Sequence, residues 1–288
     1  MYFPKYWAKA VAEGPNREGR KVRAEAWGWS DASLENARRK GLERAQALLL
    51  RLPLSRGPRE RDKTGYYAES PTREPVLQDL TRGNVQAVVT RNSLGCEVLN
   101  TDGMAFADLD YVPARPSFFA SLLDFGGKKA AERQRAWQAQ TLATVRAWQN
   151  AHPSWSLRVY RTAGGLRLLA TSKLLRVDTL EAKQWMEDIG ADPLYQRLCQ
   201  SQKSFRARLT PKPWRCGLRK PPMRSPWEAA SKEEAMRKWL ENYRQQAACF
   251  AVCEFLESVG SAPSLRESDS LVALHDARTS AASGLPLA

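Results

Sequence analysis

Apolar and polar positions alternate with a period of two in two early stretches, residues 2–11 and 20–29, separated by the turn-rich Glu13-Gly14-Pro15-Asn16. The second stretch sets Val22, Ala24, Ala26 and Gly28 between charged or aromatic neighbours, the pattern of a strand with one buried face. The period then lengthens. Leu34, Ala37, Leu42, Ala45 and Leu48 recur at helical spacing behind a cap at Ser30 or Ser33, and Pro53 ends the run. Residues 1–54 are therefore predicted to form a small strand-strand-helix unit, its strands paired as a hairpin. Residues 55–73, rich in Arg, Pro, Gly and charge, read as a linker or loop in which Tyr66 and Tyr67 offer an anchor.

Periodic patterning resumes with a short helix at 74–80 and strands at 85–90, 96–99 and 104–110. Turn-forming residues at 91–95 and 100–103 link these strands into an expected antiparallel meander. A long helix follows over 128–150, with Trp137, Val145 and Trp148 near one stripe and His152-Pro153 stopping it. Strands at 157–161 and 166–171 flank the turn Thr162-Ala163-Gly164-Gly165. Helices at 179–189, 193–202 and 231–259 complete the core, with a basic irregular region before the last of them, and residues 260–288, rich in Ser, Ala and Pro, are predicted to be largely disordered. The order of elements predicts an α+β fold, a largely antiparallel sheet with packed helices over 74–259, rather than a parallel βαβ array. No repeat of fixed period is present, which argues against a solenoid or propeller.

Composition narrows the partners. Forty-five Lys and Arg against 31 Asp and Glu leave a formal charge of +14, suited to phosphate backbones, anionic membranes or acidic proteins. The N-terminal residues lack the features of a secretory signal and no run reaches membrane-spanning length, so a cytoplasmic location without membrane partners is expected. Five cysteines without zinc-knuckle spacing predict free thiols and no structural zinc. Cys249 and Cys253, one helical turn apart among Phe250, Val252 and Phe255, fit a buried helix face better than a metal clamp.

Three features carry possible chemistry. In Phe106-Ala107-Asp108-Leu109-Asp110, alternation sends Asp108 and Asp110 to one face of a strand end, where a divalent cation would relieve their repulsion. The competing reading is a strand emerging into solvent, or a structural network with Arg161 or Arg167. The hairpin Tyr160-Arg161-Thr162-Ala163-Gly164-Gly165-Leu166-Arg167 has two glycines that permit close approach of a phosphate, although a Gly-Gly turn needs no ligand and matches neither a Walker loop nor a dinucleotide fingerprint. The segment 197–224 carries Arg197, Lys203, Arg206, Arg208, Lys212, Arg215, Arg219, Lys220 and Arg224 with no acidic residue, interleaved with Phe205 and Trp214. Arginines that grip phosphates beside aromatic faces that stack on bases make a nucleic-acid or nucleotide surface; the alternative is a solvated basic loop anchored by its aromatics. With only His152 and His275 in the chain, histidine triads and multi-histidine metal centres have little support.

Taken in order, the segment 92–110, the 160–167 hairpin and Phe205-Arg-Ala-Arg-Leu-Thr-Pro-Lys-Pro-Trp-Arg215 resemble a family of uncharacterised bacterial proteins. At greater distance they resemble the catalytic core of archaeo-eukaryotic primases and primase-polymerases over about residues 84–220. That resemblance implies Mg²⁺ or Mn²⁺ held by Asp108 and Asp110 as catalytic residues, with Asp178 as third acid. It also implies a nucleoside triphosphate against Arg161, Gly164, Gly165 and Arg167, and DNA or RNA on Arg206, Arg208, Lys212, Trp214 and Arg215. The family histidine is best matched here by Arg167. The expected function is nucleic-acid processing by metal-dependent nucleotidyl or phosphoryl transfer; the alternatives are a non-catalytic nucleic-acid-binding or assembly protein using the basic segment, or a module that recognises an acidic protein.

Overall fold

A computed structural model describes residues 1–50, 71–112, 128–224 and 230–288. Most of the expected linker, including Tyr66 and Tyr67, lies outside the described residues.

The N-terminal unit forms as its periodicity predicts. Strands β1 (Tyr6–Pro15) and β2 (Lys21–Ser30) pair antiparallel, Ala10 facing Ala26, and helix α1 (Leu34–Leu49) packs on them with Ser33 capping the amide of Asn36. Small residues set the distance: Ala8, Ala12, Ala24 and Ala26 are buried against Ala37, Gly41, Ala45 and Leu49. A Cβ on Gly28 would lie 2.1 Å from the Ala37 carbonyl oxygen and 2.2 Å from the Gly41 nitrogen, so helix and strand cross almost backbone to backbone. Alternate strand positions hold Trp7, Trp27 and Trp29; Arg44 lies 4.1 Å over the Trp29 ring and Arg73 lies 4.0 Å over Trp27.

The rest is α+β, built on two four-stranded antiparallel sheets. One has the order β10-β7-β8-β6, from Cys253–Val259, Leu157–Thr162, Gly165–Leu174 and Met104–Asp110. The other has the order β3-β4-β5-β9, from Val76–Asp79, Ala87–Arg91, Glu97–Thr101 and Phe205–Arg208. Helix α2 (Lys128–Ala151) comes before β7, and α3 (Leu180–Asp188) and α4 (Pro193–Gln202) connect β8 to β9. Helix α5 (Ala230–Ala247) precedes β10 and α6 (Arg266–Thr279) follows it.

Four expectations are corrected. The 74–80 stretch holds an edge strand rather than a helix, Val76–Asp79 being exposed and paired through the backbone with β4. Strands β4, β5 and β6 do not form a meander, because β6 leaves its neighbour to pair with β8 while β5 pairs with β9. Met104, Ala105, Phe106 and Ala107 are all buried, which requires cover on both faces that a simple hairpin with β5 would not give. The expected 231–259 helix ends at Ala247, and Cys253 is buried on β10 while Cys249 is exposed, so the two thiols do not share a helix face. Residues after Gly260 are ordered: α6 buries Ser268, Leu271, His275 and Thr279 at helical spacing, and Leu287 bridges back to Ala251. Three of those buried side chains are polar and bonded within the fold, so low apolar content concealed the core-facing side of this helix.

Candidate functional site

The β6–β8 register places Asp108 opposite Arg167 and Asp110 opposite Gly165. Arg167 is 1% exposed and its guanidinium meets Asp108 with both edges, Nε donating to Oδ1 at 2.8 Å and Nη2 to Oδ2 at 3.2 Å. Nη1 donates to the carbonyl of Arg208 at 3.0 Å, tying β8 to β9 across the junction of the sheets. Burial opposes the guanidinium charge, but Asp108 more than offsets it and holds the group above its usual range. The hydroxyl of Tyr195 on α4 lies 3.1 Å from the carbonyls of both Phe106 and Arg206, a second tie between β6 and β9.

Beneath this pair the network runs into α6. His275, fully buried, rests beside Phe106 and Tyr160, and its Nδ1 lies 3.1 Å from Asp276. An Nδ1 proton given to Asp276 leaves Nε2 as the acceptor facing Arg167 Nη1 at 3.4 Å. Asp276 also accepts from Tyr160 at 2.7 Å and from Arg158. Burial lowers the His275 pKa and Arg167 adds to the effect, although Asp276 opposes it. A pKa depressed in the folded state means that the unfolded chain binds the proton more readily, so the stabilising effect is complete above the ordinary value of about 6.5 and is lost as pH falls through the folded value. Urea midpoints measured from pH 7.5 to 5 should therefore fall with acidification, and His275→Gln should flatten that dependence.

Asp110 is solvent-exposed at the strand end, yet its carboxyl is held above the ordinary value, first by loss of solvent on its packed side, then by repulsion from Asp108 and Asp192. Asp192, not Asp178, is thus the third acid of this corner. It caps α4 through Tyr195 N at 2.8 Å, and its backbone amide donates to the Asp108 carbonyl at 2.9 Å. The helix-start sequence Asp192-Pro193 signalled the cap but not its neighbours. Asp178 lies apart, paired with Arg176 at 3.4 Å and exposed to solvent. Among the described residues no three of His, Cys, Asp and Glu converge on a point where a metal ion would sit.

The remaining candidates divide. Arg161 is an exposed partner of Glu254 on β10. Arg206 is buried in a two-pronged pair with Glu74, both contacts at 2.8 Å, and holds the start of β3 against β9. Arg208, Lys212 and Arg215, by contrast, have no ion-pair or hydrogen-bond partner for their charged groups among the described residues, and Arg208 Nε is a buried donor without an acceptor. Burial lowers the pKa of both Arg208 and Lys212; repulsion adds to this, from Arg167 on Arg208, from Arg208 on Lys212, and from Arg215 on both. Gly164 closes the corner: a Cβ there would stand 3.5 Å from Asp110 Oδ1 and 3.7 Å from Arg215 Nη2. Trp214, 49% exposed, projects beside them with Lys212 Nζ 5.7 Å from its ring centre. The structure therefore brings Asp108, Asp110, Gly164, Gly165, Arg167, Arg208, Lys212 and Arg215 to one end of the sheets, and directs Arg161, Asp178 and Arg206 to other partners. No family model matches this chain, and neither a curated protein nor a solved structure matches it.

Proposed function

We propose that this protein binds nucleic acid through the basic segment that follows β9, as a binding or assembly protein. One observation supports this above the others: Arg208, Lys212 and Arg215 stand together with no ion-paired or hydrogen-bonded partner for their charged groups among the described residues, only the more distant Asp108 and Asp110, and the exposed Trp214 lies in the same turn. Cations without internal partners gain most from an external polyanion, and an exposed indole stacks on any base. Arg219, Lys220 and Arg224 extend the positive surface along the exposed chain.

The metal-dependent reading keeps one support. Asp110, crowded by Asp108 and Asp192, would lose its repulsion to a Mg²⁺ or Mn²⁺ ion, as the primase resemblance implies. Asp108 would have to share its two oxygens between such an ion and Arg167, whose buried positive charge beside them opposes a cation there. The geometry supports binding better than transfer for that reason.

Fluorescence anisotropy with a single-stranded oligonucleotide tests both readings. Binding should weaken steeply with salt, and Lys212→Gln and Arg215→Gln should each lower the dependence of log K on log salt by about 1. Trp214→Ala should cost about 1–3 kcal/mol at constant salt slope. Affinity unchanged by Mn²⁺ or chelator favours the binding protein; affinity raised by Mn²⁺ in the native chain and not in Asp110→Asn favours the metal site. Absence of binding at low salt would sink both and point to an acidic protein partner.

A further inference from the structure

We infer that the corner formed by Arg208, Lys212, Arg215 and the Gly164 turn is a site for a phosphomonoester, the terminal phosphate of a nucleic-acid strand. This rests on the nucleic-acid reading above and narrows it from a backbone surface to the recognition of a strand end.

The three cations differ from five paired arginines around the sheets. Arg146, Arg158, Arg161, Arg206 and Arg278 each hold an acidic partner, respectively Glu257, Asp276, Glu254, Glu74 and Glu97. Arg208, Lys212 and Arg215 have none among the described residues, although they are half-buried and repel one another. Their mutual repulsion and partial desolvation both disfavour this arrangement in the free protein, and an anion seated among them would relieve both.

The kind of anion follows from depth and charge. Arg167 lies at the bottom, already neutralised by Asp108. Arg208 sits above it, linked through its own carbonyl, with an Nε shielded from solvent and unsatisfied. Lys212 and Arg215 stand outside, and Trp214 is the most exposed residue of the turn. A group that reaches from Trp214 toward Arg208 must be compact and carry several free oxygens. A terminal phosphate does; a phosphate inside a strand is flanked by sugars on both sides. Once Asp108 is set against Arg167, the three cations face Asp110 and Asp192 among the described residues, so the corner stays net positive and draws a phosphomonoester, which carries about −1.5 to −2 at neutral pH, more strongly than a singly charged group. A phosphodiester supplies only a single negative charge. Glycine at 164 keeps the space between Asp110 and Arg215 open, since any side chain there would enter it.

Anisotropy with three single strands of one sequence, ending in a 5′-phosphate, a 3′-phosphate or hydroxyls alone, tests the inference. One phosphorylated strand should bind about tenfold more tightly than the hydroxyl-ended one, a difference that a few charge-assisted hydrogen bonds readily supply. Lys212→Gln, which removes a charge, and Gly164→Val, which fills the space at unchanged charge, should both erase that preference in protein shown by circular dichroism to be folded. Inorganic phosphate should compete away the preference and leave the hydroxyl-ended affinity. Equal binding of all three strands overturns the assignment while leaving the broader nucleic-acid reading intact. A nucleoside monophosphate that competes as tightly as the phosphorylated strand assigns the site to free nucleotide and overturns the strand end. If no strand binds, the broader reading fails, and calorimetry with inorganic phosphate judges the corner alone: heat lost in Lys212→Gln supports an oxyanion site, and no heat in the native protein overturns it.

Discussion

Replacement of Asp108 by Asn should lower the unfolding free energy by about 3–5 kcal/mol, read from urea denaturation at neutral pH. The change keeps the shape of the side chain, removes its charge and turns one acceptor oxygen into a donor, so the loss measures what Arg167 requires of its partner. Arg167 is 1% exposed and its charged partner is Asp108; its other polar contacts are a backbone carbonyl and the Nε2 of a histidine whose pKa burial lowers. Without the carboxylate, an almost fully buried guanidinium is left without its counter-charge. The double change Asp108→Leu/Arg167→Met should recover most of the loss, because apolar residues of similar volume replace a buried pair at little cost. Exposed pairs behave differently, and breaking Arg39–Glu43 on α1 should cost no more than about 0.5 kcal/mol. A loss below about 1 kcal/mol in Asp108→Asn would show that Arg167 finds another anion or water, and that β6 and β8 are not locked by this pair. The result bears on functional assays, since activity lost on changing Asp108 would reflect unfolding unless the folded fraction is measured beside it.

Gly28→Ala should be the most damaging single methyl added to the N-terminal unit, at a cost of about 3 kcal/mol. The new carbon would be placed 2.1 Å from a carbonyl oxygen and 2.2 Å from an amide nitrogen of α1, and neither atom can rotate away as a side chain would. The helix must lift, and the alanine contacts that hold it, Ala37 and Ala45 against Ala24 and Ala26, open together. Hydrogen exchange would show the effect as faster exchange across β1, β2 and α1, with the β6 and β8 amides unchanged if the disturbance stays local. Gly14→Ala is the natural control, since its Cβ would meet only the Leu49 side chain, at 3.6 Å.

Where one face of an element was apolar and its partners were close in sequence, the fold was legible. Strands β1 and β2, helices α1 to α4 and the β7–β8 hairpin follow from periodicity, caps and turns. The failures share a cause. Strand β3 is an edge strand whose exposed residues carry no period-two signal, and the surface of α6 that faces the core is made of Ser268, His275 and Thr279, which read as solvent-facing until their partners are known. The candidate site was legible as types of residue but not as pairings. Alternation correctly put Asp108 and Asp110 on one strand end, and the possibility of an arginine network included Arg167, but nothing local distinguished Arg206, bound to Glu74 from 132 residues away, from Arg208, two residues later, whose guanidinium has no ion pair among the described residues. Long-range pairing decides which cations remain available, and spacing alone does not encode it.

The placement of α6 also has a consequence for synthesis. The N-terminal unit closes on a strand pairing and an apolar core made within residues 6–49 and can form as soon as those residues leave the ribosome. The core has no such early stage. Its β10 edge strand, the histidine beneath Arg167 and the Arg278 partner of Glu97 all follow the other strands of the two sheets in the chain. Until they are made the apolar strand β6 must wait with part of its cover missing, so a chain stalled before residue 253 should expose that strand and depend on holding chaperones, whereas a chain extended past Thr279 should not.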